Sequence, residues 1–153
     1  MDVEEMAARL SILDLYAQYT HAVDSHDGDL FADCFTENGY TDISSFPTVD
    51  HLREASLPWL NSDGTIRGSQ QLSLAVSGGG PQTVSLHHCT MNTWVKSIDG
   101  DKAEGAAYFV VFANDDGAVE HYGVYEDSLA RCDDGKWRID RRIDRCLYER
   151  SRG

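Results

Sequence analysis

Positive charge is scarce in this chain. Its 153 residues include 13 lysines and arginines against 26 aspartates and glutamates, a formal net charge of −13. Phosphate backbones and anionic membrane surfaces attract basic proteins, so this balance argues against nucleic acid and membranes as partners. Long apolar runs are missing as well, and no stretch approaches the roughly 20 residues that a transmembrane helix needs. We therefore expect a soluble protein.

No cysteine-pair motif and no signal-peptide pattern are visible in the sequence either. Cys34, Cys89, Cys132 and Cys146 fall in no C-x-x-C pattern, and residues 1–5 (MDVEE) are acidic where a signal peptide would be basic. We therefore expect free thiols and a cytoplasmic location. The length suits one domain spanning 1–153, with a single core.

Several catalytic motifs are absent. The chain has no G-x-S-x-G elbow and no Walker loop, because the glycines at 78–80 lack the following Lys-Ser/Thr. A metal site made of Asp24, His88 and His121 is conceivable, but neither a helical H-x-x-x-H nor a close Asp/His spacing supports it. We therefore expect no metal and no cofactor.

The predicted elements are helices followed by strands. Residues 4–24 read as one amphipathic helix, Asp27 can cap a short second helix through about Phe35, and 68–76 could form another. Four segments rich in Val, Tyr, Trp, Thr and Phe then alternate with Asp/Gly turns, which predicts an antiparallel meander over 83–98, 102–113, 118–131 and 136–149. This order indicates an α+β domain with helices on one side of a curved sheet.

The last strand alternates between apolar and charged residues. Its apolar set is Trp137, Ile139 and Ile143, and its charged set is Arg138, Asp140, Arg142 and Asp144. One face is therefore expected in the core and the other in water. We also expect a homodimer, because helices on one side of the sheet cannot reach Trp94 as well as Trp137 and Ile139.

The segment 45–67 has poor periodicity, with Pro47 and the apolar pair Pro58-Trp59. These features predict a flap over a pocket mouth, with Trp59 or Leu57 touching the ligand. The alternative is a surface loop that is merely tolerated.

Asp24 is the most informative residue, because an aspartate at the end of a helix meets the negative pole of the helix dipole, at a cost of roughly 0.3–1 kcal/mol. A histidine partner would justify it, and the best candidates are His87 and His88, which point to opposite faces of a strand, so only one of them can enter a given pocket. A carboxylate beside an imidazole makes a general base at neutral pH. The alternatives are a capping role for Asp24 and a structural role for the histidine.

Other polar and aromatic residues could line the same pocket. His121 is a second strand histidine, and whether it faces His88 depends on register. The aromatic candidates for a pocket wall with hydroxyl donors are Tyr16, Tyr19, Tyr40, Trp59, Tyr108, Tyr122 and Tyr125. Each of them could instead be an ordinary core residue.

Seven short segments, in order and spacing, resemble one family. They are 12–17 (ILDLYA), 22–29 (AVDSHDGD), 35–39 (FTENG), 87–92 (HHCTMN), 100–103 (GDKA), 123–131 (GVYEDSLAR) and 137–142 (WRIDRR). Together they are similar to the SnoaL-like branch of the NTF2-like superfamily, with a departure at 45–67, which is longer than the usual loop. The resemblance implies a cone-shaped α+β fold, in which a strongly bent sheet wraps around helices and leaves a deep apolar pocket.

The resemblance also implies an activity. Scytalone dehydratase, hexachlorocyclohexane dehydrochlorinase, ketosteroid isomerase and polyketide cyclases belong to this superfamily and mostly move protons without a cofactor. The aspartate and histidine of the dehydratase and dehydrochlorinase branch match Asp24 and His88. Tyr19 lies near a pocket aromatic of the family, and Tyr40 near a tyrosine that can orient a carbonyl.

We therefore expect a cofactor-independent lyase or isomerase acting on an apolar cyclic molecule of natural-product or steroid-like type. His88 would remove a proton, Asp24 would stabilise the imidazolium, and Tyr19 or Tyr40 would donate to the oxyanion. The residues expected to contact the substrate are Tyr16, Trp59, Tyr108, His121 and Tyr125. The first alternative is a binding module, such as an oxygenase small subunit, and the second is a metal-assisted enzyme.

Overall fold

The described part of the chain forms four helices and six strands. The computed structural model describes residues 1–78 and 85–151. The helices are α1 (Val3–Asp24), α2 (Gly28–Asp33), α3 (Val49–Glu54) and α4 (Gly68–Ser77). The strands are β1 (Phe35–Asp42), β2 (Thr65–Arg67), β3 (Leu86–Asp99), β4 (Lys102–Ala113), β5 (Val119–Arg131) and β6 (Trp137–Glu149).

Helix α1 begins and ends at defined signals. The Asp2 side chain accepts a hydrogen bond from the backbone N–H of Glu5 at 2.8 Å, which caps the helix. At the other end His26 adopts a left-handed backbone with φ of 57°, so the chain turns directly after Asp24. Asp27 then caps α2 by accepting a hydrogen bond from Leu30 N at 3.0 Å. Asp24 is therefore not needed as a cap.

The strands form one curved sheet in the order β2-β1-β6-β5-β4-β3. The predicted meander of four antiparallel strands is confirmed, and β1 joins it by pairing in parallel with β6. Helix α1 packs on β3 and β6 and buries Ile12, Leu15 and Tyr19 against the inner face of the sheet. The expected α+β class is thus confirmed, with the core between the helices and one sheet face.

A β-bulge changes the direction of side chains in β6. Ser128 pairs with Arg141 and Leu129 pairs with Ile139, which leaves Asp140 as an extra residue without a partner on β5. An extra residue reverses the alternation beyond it. Arg142 and Asp144 therefore point inward, with exposed fractions of 0% and 7%. The prediction that these two residues lie on an outer charged face is wrong.

Trp137 and Ile139 are both buried in the core, whereas Trp94 is 63% exposed. The premise that Trp137 and Ile139 need a second subunit to cover them is therefore wrong, because they already face the helices. The exposed aromatic residues of the outer sheet are Trp94, Tyr108, Tyr122 and Tyr148. The homodimer itself stays a prediction.

The segment 45–67 is partly regular, since it contains α3 and ends in β2, which pairs with β1. The predicted start of the strand at 83 lies outside the described residues, as do the glycines at 79 and 80. Cys34, Cys89, Cys132 and Cys146 are all free thiols. Among the helices in 1–78 and 85–151, none is long and apolar enough to cross a membrane.

Candidate active site

The end of α1 meets the start of β3 through Asp24 and His88. Nδ1 of His88 lies 2.6 Å from Oδ1 of Asp24, and the backbone N–H of His88 donates to Oδ2 at 3.0 Å. A carboxylate can only accept, so Nδ1 carries the proton and Nε2 is left as the acceptor. The carboxylate thus holds both the ring and the strand that carries it.

Asp24 is held in its charged form. Burial raises the pKa of Asp24, but the hydrogen bonds from the ring and the backbone N–H of His88 outweigh burial, and the pKa lies below its ordinary value. His87 points the other way from the strand, and its Nδ1 lies 3.6 Å from Oδ2 of Asp24. The pair Asp24–His88 therefore holds an ionised carboxylate against the Nδ1 side of the imidazole.

His88 lines a cavity of about 220 Å³ between the helices and the sheet. Most of the wall is apolar, and the segment 45–67 supplies part of it, including the buried side chain of Trp59. The residues with polar atoms at the wall include Tyr19, His121, Tyr125 and Asp144. A mostly apolar cavity with a few convergent polar groups is the usual form of a small-molecule site.

His121 faces the same cavity as His88. Val111 on β4 pairs with His88 on one side and His121 on the other, so the two histidines share one face of the sheet, with ring centroids 6.3 Å apart. Burial lowers the pKa of His121 to about 4, and the neighbouring His88 adds to the effect. His121 is therefore neutral at physiological pH and can act as a hydrogen-bonding group.

A buried ion pair packs against two tyrosines of the cavity wall. Arg142 donates from Nε and Nη2 to the two oxygens of Asp127, each at 2.8 Å, and both side chains are fully buried. The hydroxyl of Tyr16 donates to the same carboxylate. The guanidinium carbon lies 4.2 Å from the ring centroid of Tyr19 and 3.9 Å from that of Tyr125. The arginine therefore positions two tyrosines of the cavity wall.

Both wall tyrosines stay protonated. Burial raises the pKa of Tyr19 and of Tyr125 well above the ordinary value for a phenol, and the carboxyl of Asp144 raises both further. Their hydroxyls are therefore available as hydrogen-bond donors toward a ligand.

Asp144 is a carboxyl group in the cavity wall. Burial raises the pKa of Asp144 to about 7, although Arg142 and the hydrogen bond from Thr41 act in the opposite direction. Thr41 Oγ1 donates to Oδ1 of Asp144 at 2.8 Å. Sequence reasoning missed Arg142 and Asp144, yet one signal was available. Three consecutive charged residues, 140–142, cannot all face water in a strand, so one of them must point inward.

The other predicted site residues fall into two groups. Tyr19, Trp59, His121 and Tyr125 line the cavity with His88, whereas Tyr16, Tyr40 and Tyr108 do not. Tyr16 is bound to Asp127, the ring of Tyr40 is covered by Arg67 at 3.9 Å, and Tyr108 is 51% exposed on the outer face. The placement of these three tyrosines does not support their predicted roles, because the strand and helix faces direct them elsewhere. Across 1–78 and 85–151, no group of three or more His, Cys, Asp or Glu side chains is arranged to hold a metal ion.

A family model described as a SnoaL-like domain matches residues 4–143. The match covers most of the chain, so this protein belongs to the SnoaL-like domain family, and the predicted resemblance is confirmed. An uncharacterized protein of Mycobacterium tuberculosis is 28% identical over 154 residues, which cover 98% of this chain and 92% of the relative.

Solved structures share the same fold. A variant of a Mycobacterium tuberculosis protein of unknown function superposes with a TM-score of 0.74 and 28% identity, over 94% of this chain and 73% of that chain. A hexachlorocyclohexane dehydrochlorinase from Novosphingobium barchaimii superposes with a TM-score of 0.73 and 18% identity, over 98% of this chain and 93% of that chain. At 18% identity, the similarity to the dehydrochlorinase shows a common fold alone.

Proposed function

We propose that this protein is a cofactor-independent lyase or isomerase that removes a proton from carbon in an apolar cyclic molecule. The observation that carries the proposal is the contact of 2.6 Å between Asp24 and His88, with the ring of His88 on the wall of a mostly apolar cavity. A cavity of about 220 Å³ suits a molecule of one or two rings.

Each polar group has a role in the proposed reaction. Nε2 of His88 takes a proton from a carbon next to a carbonyl, and the charge of Asp24 stabilises the imidazolium that forms. The hydroxyls of Tyr19 and Tyr125 donate to the carbonyl oxygen as it gains negative charge. Loss of a group from the neighbouring carbon then completes a dehydration or another elimination, and return of the proton elsewhere completes an isomerisation or cyclisation.

The comparisons support the class of reaction. The chain belongs to the SnoaL-like family, and one protein that shares its fold is named a dehydrochlorinase, a name that denotes an elimination. A non-catalytic binding module would pair Asp24 and His88 with protein groups away from any cavity. The position of His88 on a cavity wall supports the enzyme instead.

Hydrogen exchange on simple ketones tests the proposal without the natural substrate. Cyclohexanone and 1-tetralone in D₂O should exchange their α-protons faster with the wild-type protein, followed by NMR, and His88→Ala should lose this acceleration. His51→Ala is the control, because His51 is an exposed histidine on α3. Wild-type protein that accelerates neither exchange would contradict the proposal for ketone substrates.

We also propose that the protein is a homodimer in the cytoplasm. The free cysteines support a reducing compartment.

The outer sheet face exposes Trp94, Tyr108, Tyr122 and Tyr148, and the rings of Tyr122 and Tyr148 stack with centroids 5.3 Å apart. A second copy covering this face would bury the aromatic surface. Light scattering should give twice the chain mass at micromolar concentration, and Trp94→Glu should shift it to the monomer; a wild-type monomer would contradict the proposal.

A further inference from the structure

The cavity contains a carboxyl group that proton abstraction by His88 does not use. Asp144 lies on the cavity wall with an exposed fraction of 7%, and its Oδ1 accepts the hydrogen bond from Thr41. A carboxyl group is costly to bury, and an apolar side chain at this place would have continued the wall. Its presence beside a site for proton chemistry calls for a chemical explanation.

The surroundings of Asp144 favour the neutral acid. The cation that acts on Asp144 is Arg142, which already makes the two-point bond to Asp127, so ionisation of Asp144 would add a second negative charge to the same buried region. The titratable and charged groups that act on Asp144 or are acted on by it are Asp42 on β1, Tyr125 and Asp127 on β5, Arg142 on β6 and Tyr19 on α1. Asp42 and Asp127 disfavour the anion and Arg142 favours it, while Tyr19 and Tyr125 are neutral phenols that add no negative charge.

The carboxyl group of Asp144 and the free Nε2 of His88 share one cavity and can serve as an acid and a base. We infer that Asp144 is the general acid that protonates a hydroxyl leaving group, so that the substrate class is a cyclic β-hydroxy ketone. The inference rests on the proposed function, since it assigns the second half of the reaction that His88 begins.

The step balances as a dehydration. His88 takes the α-proton, the electrons of that C–H bond form the C=C bond, and the C–O bond to the β-carbon breaks. Asp144 gives its proton to the departing oxygen, which leaves as water. His88 then holds one extra proton and Asp144 lacks one, and transfer through solvent restores both groups. A chloride leaving group needs no such proton, so only the hydroxyl substrate depends on Asp144.

A matched pair of substrates isolates this role. 3-Hydroxycyclohexanone and 3-chlorocyclohexanone both give cyclohex-2-enone, whose absorbance is followed. Asp144→Asn should lower kcat for the hydroxy ketone by roughly 100-fold or more and change kcat for the chloro ketone by less than about threefold. Asp140→Asn is the control, because Asp140 accepts a hydrogen bond from Thr36 on the exposed surface as Asp144 does from Thr41 inside. Asp140→Asn should change neither rate.

The outcomes separate this inference from the proposed function. If cyclohexanone exchange requires His88 but Asp144→Asn leaves dehydration intact, or lowers both eliminations equally, the inference is wrong and the proposed base stands. If wild-type protein accelerates neither exchange nor elimination, the proposed function falls and the inference with it.

A measurement without substrate covers the case in which Asp144→Asn fails to fold. The ¹³C signal of the Asp144 carboxyl, in protein labelled at aspartate, should titrate with a midpoint near neutral pH. A carboxyl already ionised at pH 5 would overturn the inference whatever the kinetics show.

Discussion

The junction of α1 with β3 and the pairing of β5 with β6 build the same cavity in different ways. The first brings together Asp24 and His88, partly buried residues at the end of a helix and the start of a strand. The second brings together Asp127, Arg142 and Asp144, which are all buried in the middle of long strands. An unfavourable position in a helix is visible in a sequence, whereas an inward charge produced by a bulge depends on register. Local reasoning therefore places the first kind of site residue, whereas for the second kind it indicates only that one charge in a run must point inward and not which one.

Breaking the first region should abolish activity without unfolding the protein. We expect His88→Ala and Asp24→Asn each to lower turnover by roughly 10²–10⁴-fold, and the double variant to be little worse than His88→Ala, because the two residues act as one unit. Exchange of cyclohexanone protons measures the loss, and circular dichroism checks the fold. An Asp24→Asn protein that is stable and fully active would end the dyad hypothesis.

Breaking the second region should instead destabilise the fold. Arg142→Met leaves the carboxylate of Asp127 buried without its cation, and loss of one partner of a buried ion pair costs about 3–5 kcal/mol of the free energy of unfolding. Urea denaturation measures the change. Arg141→Met, at the exposed neighbour, should stay within about 0.5 kcal/mol of wild type. Equal stability of the two variants would show that the buried pair is not a support of the cavity.

Asp144 and His121 should make the free energy of unfolding depend on pH in opposite directions. The folded state keeps the proton of Asp144 up to about pH 7, while the unfolded chain releases it near 4, so this group lowers stability as pH rises through that window. In the folded state His121 binds a proton only when the pH falls to about 4, whereas in the unfolded chain it binds one near pH 6.5. His121 therefore lowers stability as the pH falls from 6.5 to 4.

The two effects partly cancel in wild-type protein, and each is at most roughly 4 kcal/mol. Asp144→Asn should therefore become more stable than wild type at pH 7 and lose stability as pH falls from 6.5 to 4. His121→Gln should show the opposite slope. Thermal melts between pH 4 and 8 measure both, and parallel curves for all three proteins would contradict the two shifted pKa values.

The smallest expected effect on activity concerns Trp59 in the cavity wall. Trp59 lines the cavity from the segment 45–67, whose role as a moving flap stays a prediction. We expect Trp59→Ala to raise KM and lower kcat by several-fold each, because a wider cavity admits water and holds the ligand loosely. Pro58→Ala, at the exposed neighbour, is the control. If kcat and KM for cyclohexanone exchange both stay unchanged in Trp59→Ala, the segment does not act on the ligand.

The sequence by itself determined the α+β class, the long first helix and the meander, and its resemblance to the SnoaL-like family singled out His88 as the partner of Asp24. These features depend on local signals, namely periodicity, caps and turns, together with one carboxylate at an unfavourable helix end. Only the tertiary structure decided which face each later residue takes. The unpaired Asp140 reverses β6 and sends Arg142 and Asp144 into the core, and the register across β4 brings His121 beside His88. Side-chain direction in a strand has a period of two residues, so a slip of one residue, which costs little locally, exchanges the inside for the outside.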